Sequence, residues 1–278
     1  MPQRPEALPP APSRTALSQP VHVRTLFLSD LHFGANASRP DLVLAFLHGH
    51  SADTYYLVGD IFELISPFTR KLSAAELEVL SHLRARRDSG AKVIYLVGNH
   101  DPAPRLSIAD HLLPADPQVE IIHHTANGRR FLVLHGDVAD RRLFRSHILT
   151  RSCIFADQSL RCLDAAAGAI FTRSGPAQRT AVECVLSWVN WLIYPTRSHE
   201  RRLIEVARNG GLDGVICGHF HIAALNDLHG LTYANSGDWV DSFTALAENH
   251  DGSLGILGGR KALTRPAAAD VALEGALA

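Results

Sequence analysis

Five short apolar runs, each closed by a polar group able to bind a metal or move a proton, constrain this chain more than any other feature. They read VRTLFLSD, TYYLVGD, KVIYLVGNHD, RRFLVLHGD and DGVICGHFH. Each is rich in β-branched or aromatic residues and too continuous to alternate between core and water, as expected of strands buried on both faces. Helical patterns fill two of the gaps, Asp41 to His50 and Ala74 to Arg87, with Leu77, Leu80 and Leu83 on one face of the second and Gly90 as its stop. The resulting βαβαβ order predicts a largely parallel sheet covered by helices. VEIIHH and RRFLVLH around Asn127-Gly128 signal a hairpin, so the sheet becomes mixed. LTYANSGDWV, FTALAE and SLGILGG read as further, antiparallel strands.

The fold class is therefore α/β of the α+β sandwich type: mixed β-sheets flanked by helices, with a helical insertion. Residues 1–22, rich in proline, read as a disordered leader, 23–139 and 203–263 as the main domain, 140–202 as a helical insertion and 264–278 as a flexible tail. After the insertion, helix Ser198 to Arg208 and strand Asp213 to Cys217 resume the main domain.

Composition excludes several classes. A formal net charge of -1 and a pI near 7 give no general attraction to nucleic acid or anionic membrane. Cys153, Cys162, Cys184 and Cys217 form no CxxC pair, which reads as reduced thiols and a cytoplasmic setting. The apolar stretch from Val185 to Tyr194 is too short to span a bilayer, which leaves peripheral contact at the cytoplasmic face of a membrane open. Nothing in the sequence specifies an oligomeric state.

The chemistry lies where the runs end. Asp30 and His32 follow the first, Asp60 the second, Asn99 and His100 the third, His135 the hairpin strand, and His219 with His221 the last. Strands pointing the same way bring their carboxyl ends to one edge, so these side chains meet in one crevice. Carboxylate, imidazole and amide oxygen without thiolate suit Mn²⁺, Fe²⁺, Zn²⁺ or Mg²⁺ in a catalytic rather than a closed structural site. Two such ions can share a carboxylate and clamp the attacking and leaving oxygens of a displacement at phosphorus. Taken singly, an Asp-x-His or a Gly-Asp is more often a hydrogen-bonded turn; five such placements in series outweigh that reading. His123 and His124 lie in the hairpin, away from the strand ends, and read as packing. The remaining histidines, His250 among them, carry no assigned role.

Asp30-x-His32, Gly59-Asp60, Gly98-Asn99-His100-Asp101, His135 and Gly218-His219-x-His221 together resemble the calcineurin-like metallophosphoesterases over residues 23 to 250. GVICGHFHIAA, NSGDWVDSFTALAE and the insertion after His135-Gly136-Asp137 resemble the UDP-2,3-diacylglucosamine diphosphatase-like branch, which acts in lipid A synthesis. The resemblance implies two divalent ions, with Mn²⁺ the leading candidate. One would be held by Asp30, His32, Asp60 and His221, the other by Asp60, Asn99, His135 and His219. It also implies that His100 stabilises or protonates at the phosphoryl group, with Asp101 orienting its ring. The chain has His100 where the diphosphatase has arginine, so a phosphoesterase acting on another phospholipid or on a soluble nucleotide stays open, as does a metal-binding scaffold without catalysis.

From Asp140 to Arg202 there are ten arginines and no lysine, beside Trp188, Trp191 and Leu192. One reading is a lid in which Arg141 and Arg145 grip phosphate and the apolar residues hold acyl chains of a phosphorylated lipid or nucleotide-sugar lipid. The other is a helical hairpin whose aromatics pack on the sheet.

Overall fold

The computed structural model describes residues 20–66, 69–103, 115–139 and 198–260. In order these form β1 (Val21–Leu28), α1 (Pro40–Gly49), β2 (His50–Val58), α2 (Ala74–Asp88), β3 (Lys92–Leu96), β4 (Pro117–Gln118), β5 (Glu120–His124) and β6 (Arg130–Leu134). A 3-10 turn (Asp137–Ala139) precedes α3 (Ser198–Asn209), β7 (Gly214–Cys217), β8 (Ala224–Leu228), β9 (Leu231–Asn235), β10 (Thr244–Glu248) and β11 (Leu254–Gly258).

The strands make two sheets, ordered β11-β10-β1-β2-β3-β4 and β5-β6-β7-β9-β8. In the first, β1 to β4 run parallel, β10 pairs antiparallel with β1, and β11 pairs antiparallel with β10. In the second, β6, β7 and β9 run parallel between antiparallel edges β5 and β8. Two details depart from the sequence reading. β9 is parallel to β7, although the terminal runs read as antiparallel, and β8 was not foreseen. Its residues ALNDL sit half-exposed on an edge, so they lack the apolar run that marks the buried strands.

Period-2 alternation explains the layering. On β1, Leu26 and Leu28 join the cluster beneath α1 and α2, while Phe27 points into the apolar layer between the sheets. On β6, Phe131 and Val133 enter that shared layer and Leu132 and Leu134 face α3; on β7, Ile216 takes the first role and Val215 and Cys217 the second. Every central strand is thus buried on both faces, which accounts for the continuous apolar runs. Cys217 is a free, buried thiol, and burial pushes it up to about 12, so it serves as core.

His123 sits within the sandwich as packing. Its Nε2 lies 2.8 Å from Glu248 Oε2 and its Nδ1 3.1 Å from the Tyr56 hydroxyl. Glu248 also accepts from Thr25 Oγ1 at 2.7 Å, from the Ala126 N–H at 2.8 Å and from Arg24. Burial opposes ionisation of this carboxyl, but the bonds from His123, Thr25 and Ala126 outweigh it and hold it at about 2. Its stabilising contribution is complete above the unfolded-state value near 4.5 and is lost as pH falls toward 2. Glu248→Ala, which strands those donors, is expected to cost about 3–5 kcal/mol. Urea melts at neutral pH measure that cost, and the deficit relative to the wild type should shrink as the pH is lowered through that window.

Candidate metal centre

The candidate residues meet at the carboxyl ends of β1, β2, β3, β6 and β7, because the loops that carry them are laced together by backbone bonds. Asp30 N–H donates to Gly59 O at 3.1 Å, His32 N–H to Asp60 O at 3.0 Å and Phe33 N–H to Ile61 O at 2.8 Å. The parallel pairing of β1 and β2 thereby continues as a ladder past the sheet. Asp30, His32, Asp60, His219 and His221 all have positive φ, between 48° and 69°. Non-glycine residues rarely adopt this left-handed region, and such strain concentrates at functional sites.

Asp30, Asp60 and His135 are almost wholly buried and His32 nearly so, whereas His100, His219 and His221 are partly open. His135 Nε2 lies 3.1 Å from Asn99 Oδ1, 3.2 Å from Asp60 Oδ2 and 3.3 Å from His219 Nδ1. On the other side, His221 Nε2 lies 3.3 Å from Asp30 Oδ1, and His32 Nε2 4.0 Å from the same oxygen. The donors therefore fall into one group of Asp30, His32 and His221 and another of Asp60, His135 and His219, with His32, Asp60 and His100 between them.

This set fits divalent ions. Separations just above 3 Å are the spacing of two ligands on one ion with bonds of about 2.0–2.2 Å. Asp30 Oδ1 and His32 Nε2 are buried yet complete no hydrogen bond, as cation-facing atoms would be. His135 Nδ1 donates to Val58 O at 2.9 Å, which leaves Nε2 as the lone-pair nitrogen turned to the cluster.

Electrostatics agree. Burial alone would raise Asp60, but the imidazoles of His135 and His100 outweigh it and hold the carboxyl well below the usual range. Asp30, against the same burial, is held at about 2 by His221. Burial works against charge on His221 and His100, yet Asp30 raises the first, and Asp60 with Glu63 the second, to about 9. The carboxylates thus favour the protonated form of His100 and His221.

Asp101 departs from its expected role. It does not orient His100. Its Oδ1 accepts from Gly98 N–H at 2.7 Å and Asp60 N–H at 3.0 Å, and its Oδ2 from Tyr95 Oη at 2.5 Å, Ile61 N–H at 2.7 Å and Phe62 N–H at 3.2 Å. Five donors occupy it, so it clamps the loop after β3 to the loop after β2. The residue that holds His100 is Glu63, whose Oε2 lies 2.7 Å from His100 Nδ1 and 3.4 Å from His32 Nδ1. Sequence reasoning missed it; the available signal was an acid three residues beyond Asp60 inside the apolar stretch IFELI. Arg141, Arg145, Trp188, Trp191 and Leu192 lie outside the described residues.

A fold of two mixed sheets with carboxylates and imidazoles at the strand ends defines a metal-dependent phosphohydrolase. The sequence profile of the calcineurin-like phosphoesterases matches residues 23–223, and the chain belongs to that family. Within it, the chain is 29% identical over 248 residues, 82% of its own length and 96% of the other's, to UDP-2,3-diacylglucosamine hydrolase of Xanthomonas axonopodis pv. citri. It is 33% identical to the enzyme of that name from Pseudomonas savastanoi pv. phaseolicola, over 40% of this chain and 46% of the relative.

Gly98 shows how tightly the centre is built. A Cβ there would stand 2.1 Å from Asp60 Oδ1 and 2.5 Å from Asp60 N. Gly98→Ala is therefore expected to displace Asp60 and to lower bound metal and turnover together. Elemental analysis beside steady-state kinetics checks it, and full metal content with full activity would contradict the packing described.

Proposed function

We propose that this chain hydrolyses the diphosphate of a lipid-linked nucleotide sugar of the UDP-2,3-diacylglucosamine type, using two divalent ions shared across Asp60. The observation that carries the reading is the pair of donor groups on either side of Asp60, one built on Asp30 and one on His135. Asp30, His32, Asp60 and His221 would hold one ion, and Asp60, Asn99, His135 and His219 the other. Oxygen and imidazole donors without sulfur suit Mn²⁺, Fe²⁺, Zn²⁺ or Mg²⁺, and the family resemblance makes Mn²⁺ the first to test. When bound, the ions polarise the phosphoryl oxygens and lower the pKa of attacking water. The relatives' names supply the substrate, and its acyl chains would bring the protein to the cytoplasmic face of a membrane. No helix among the described residues is long and apolar enough to cross one.

The chain's own contribution centres on His100. Glu63 holds Nδ1, so Nε2 is directed toward Asp60 Oδ2, 4.0 Å away, at the edge of the cluster. The His100 N–H also donates to Asp60 Oδ1 at 2.7 Å, which fixes the backbone beneath the ring. From there the protonated ring donates to a phosphoryl oxygen or passes its proton to the leaving oxygen. An arginine at this position could grip a diphosphate with two parallel bonds; a histidine forms one and can transfer a proton. That difference favours a second reading, a phosphoesterase acting on a smaller or soluble phosphate ester.

The deciding experiment is turnover of UDP-2,3-diacylglucosamine in detergent against a soluble phosphodiester under Mn²⁺, Mg²⁺ and Zn²⁺. Release of UMP at a much higher kcat/KM than soluble ester hydrolysis supports the diphosphatase, and the reverse order supports the second reading. His100→Ala is expected to lower kcat about 10²–10⁴-fold while retaining most of the metal. Glu63→Ala should lower kcat with little change in KM, and the double variant should be no slower than His100→Ala alone. Additive losses would show that Glu63 acts other than through His100.

A further inference from the structure

At the opposite end of the first sheet, away from the candidate centre, His22, Asp53 and His250 bring two imidazoles and a carboxylate together. One ligand atom of each lies within 4.8 Å of the others. His22 is the second residue of β1, Asp53 lies in the first half of the neighbouring parallel strand β2, and His250 follows β10. β10 runs antiparallel to β1, with Thr25 opposite Glu248, and its far end therefore reaches the start of β1. Two adjacent strands and the turn after a third each contribute one donor.

We propose that His22, Asp53 and His250 form a surface site for a borderline divalent cation of the Zn²⁺ class, separate from the phosphohydrolase centre. Three observations support it. The donor set, two nitrogens and one oxygen, is the kind that zinc, nickel and copper select, and it leaves a fourth position to water. His22 Nε2 stands 3.1 Å from Asp53 Oδ1, close to the roughly 3.3 Å separating two ligands on a tetrahedral ion with bonds of about 2.0 Å. His22 Nδ1 is held at 2.9 Å by Ser51 Oγ, the residue opposite it in the β1–β2 register. That second bond fixes the imidazole plane and turns Nε2 to Asp53, the arrangement by which metal-binding histidines are oriented. The His250 ring lies 5.4 Å from that of His22, tilted by 33°, so side-chain rotation alone can bring its nitrogen into the same sphere.

All three residues are exposed, so their replacement should leave the core intact. Protein without a histidine tag, equilibrated with ZnCl₂ and freed of excess by gel filtration, should retain one zinc ion more per chain than His22→Ala/His250→Ala. The difference between the two proteins is read, so the result does not depend on how the other centre is filled. Asp53→Asn preserves the shape of the pair and removes the charge; it should weaken this zinc at least tenfold in a competition titration. Phosphohydrolase activity should be equal in all three proteins. Equal zinc content in the wild type and the double variant, with matching thermal melts, would overturn the proposal and leave His22–Asp53 a surface hydrogen bond.

Discussion

The Asp101 carboxylate is the interaction on which the centre depends. It accepts four backbone N–H groups from the loops that follow the paired strands β2 and β3, and the hydroxyl of Tyr95 at the end of β3. Burial and the nearby Asp60 charge push its pKa up, yet an acceptor-only carboxylate is what those donors require. Because the Asp60 and Ile61 amides are among them, the position of Asp60 is set by a residue that itself touches no ligand atom of the cluster. Buried, fully satisfied polar networks of this kind make one arrangement far better than its neighbours.

Around that clamp the two sheets supply rigidity. The layer between them, from Phe27 and Tyr56 to Val133 and Ile216, fixes how the edge carrying Asp30 and Asp60 faces the edge carrying His135 and His219. The site is assembled from both sheets, so its spacing is a property of sandwich packing rather than of any one loop. Gly218 extends the same logic. A Cβ there would meet Ser29 Oγ at 2.4 Å and Asp30 Oδ2 at 2.5 Å, so only glycine lets the second sheet's loop approach Asp30 this closely.

Much of this was legible beforehand because the signals were of two reinforcing kinds. Doubly buried strands leave continuous apolar runs, and parallel strands place whatever follows them on one edge; the convergence of Asp30, Asp60, Asn99, His135 and His219 was legible that way. Edge strands leave weaker traces, and β8 with its half-exposed ALNDL was missed for that reason. Glu63 was hidden because an acid inside a loop has no periodicity, and only the fold brings it against His100. Asp101 was misjudged for a related reason: adjacency in sequence to His100 suggested contact, whereas backbone geometry sends its carboxylate to the amides of the neighbouring loop. Which strand pairs with which inside the two sheets follows from contacts that strand composition does not encode.

The left-handed residues bear on how this chain could evolve or be engineered. Among the described residues, Asp30, His32, Asp60, His219 and His221 account for most of the non-glycine positions with positive φ. Each costs on the order of 1 kcal/mol relative to relaxed backbone, somewhat less for aspartate. Their sum is then comparable to the whole margin by which a domain stays folded. Glycine at any of them would relieve the backbone strain and break the centre. Strain and donor atoms therefore sit at the same positions, so relaxing the backbone there removes the donors as well.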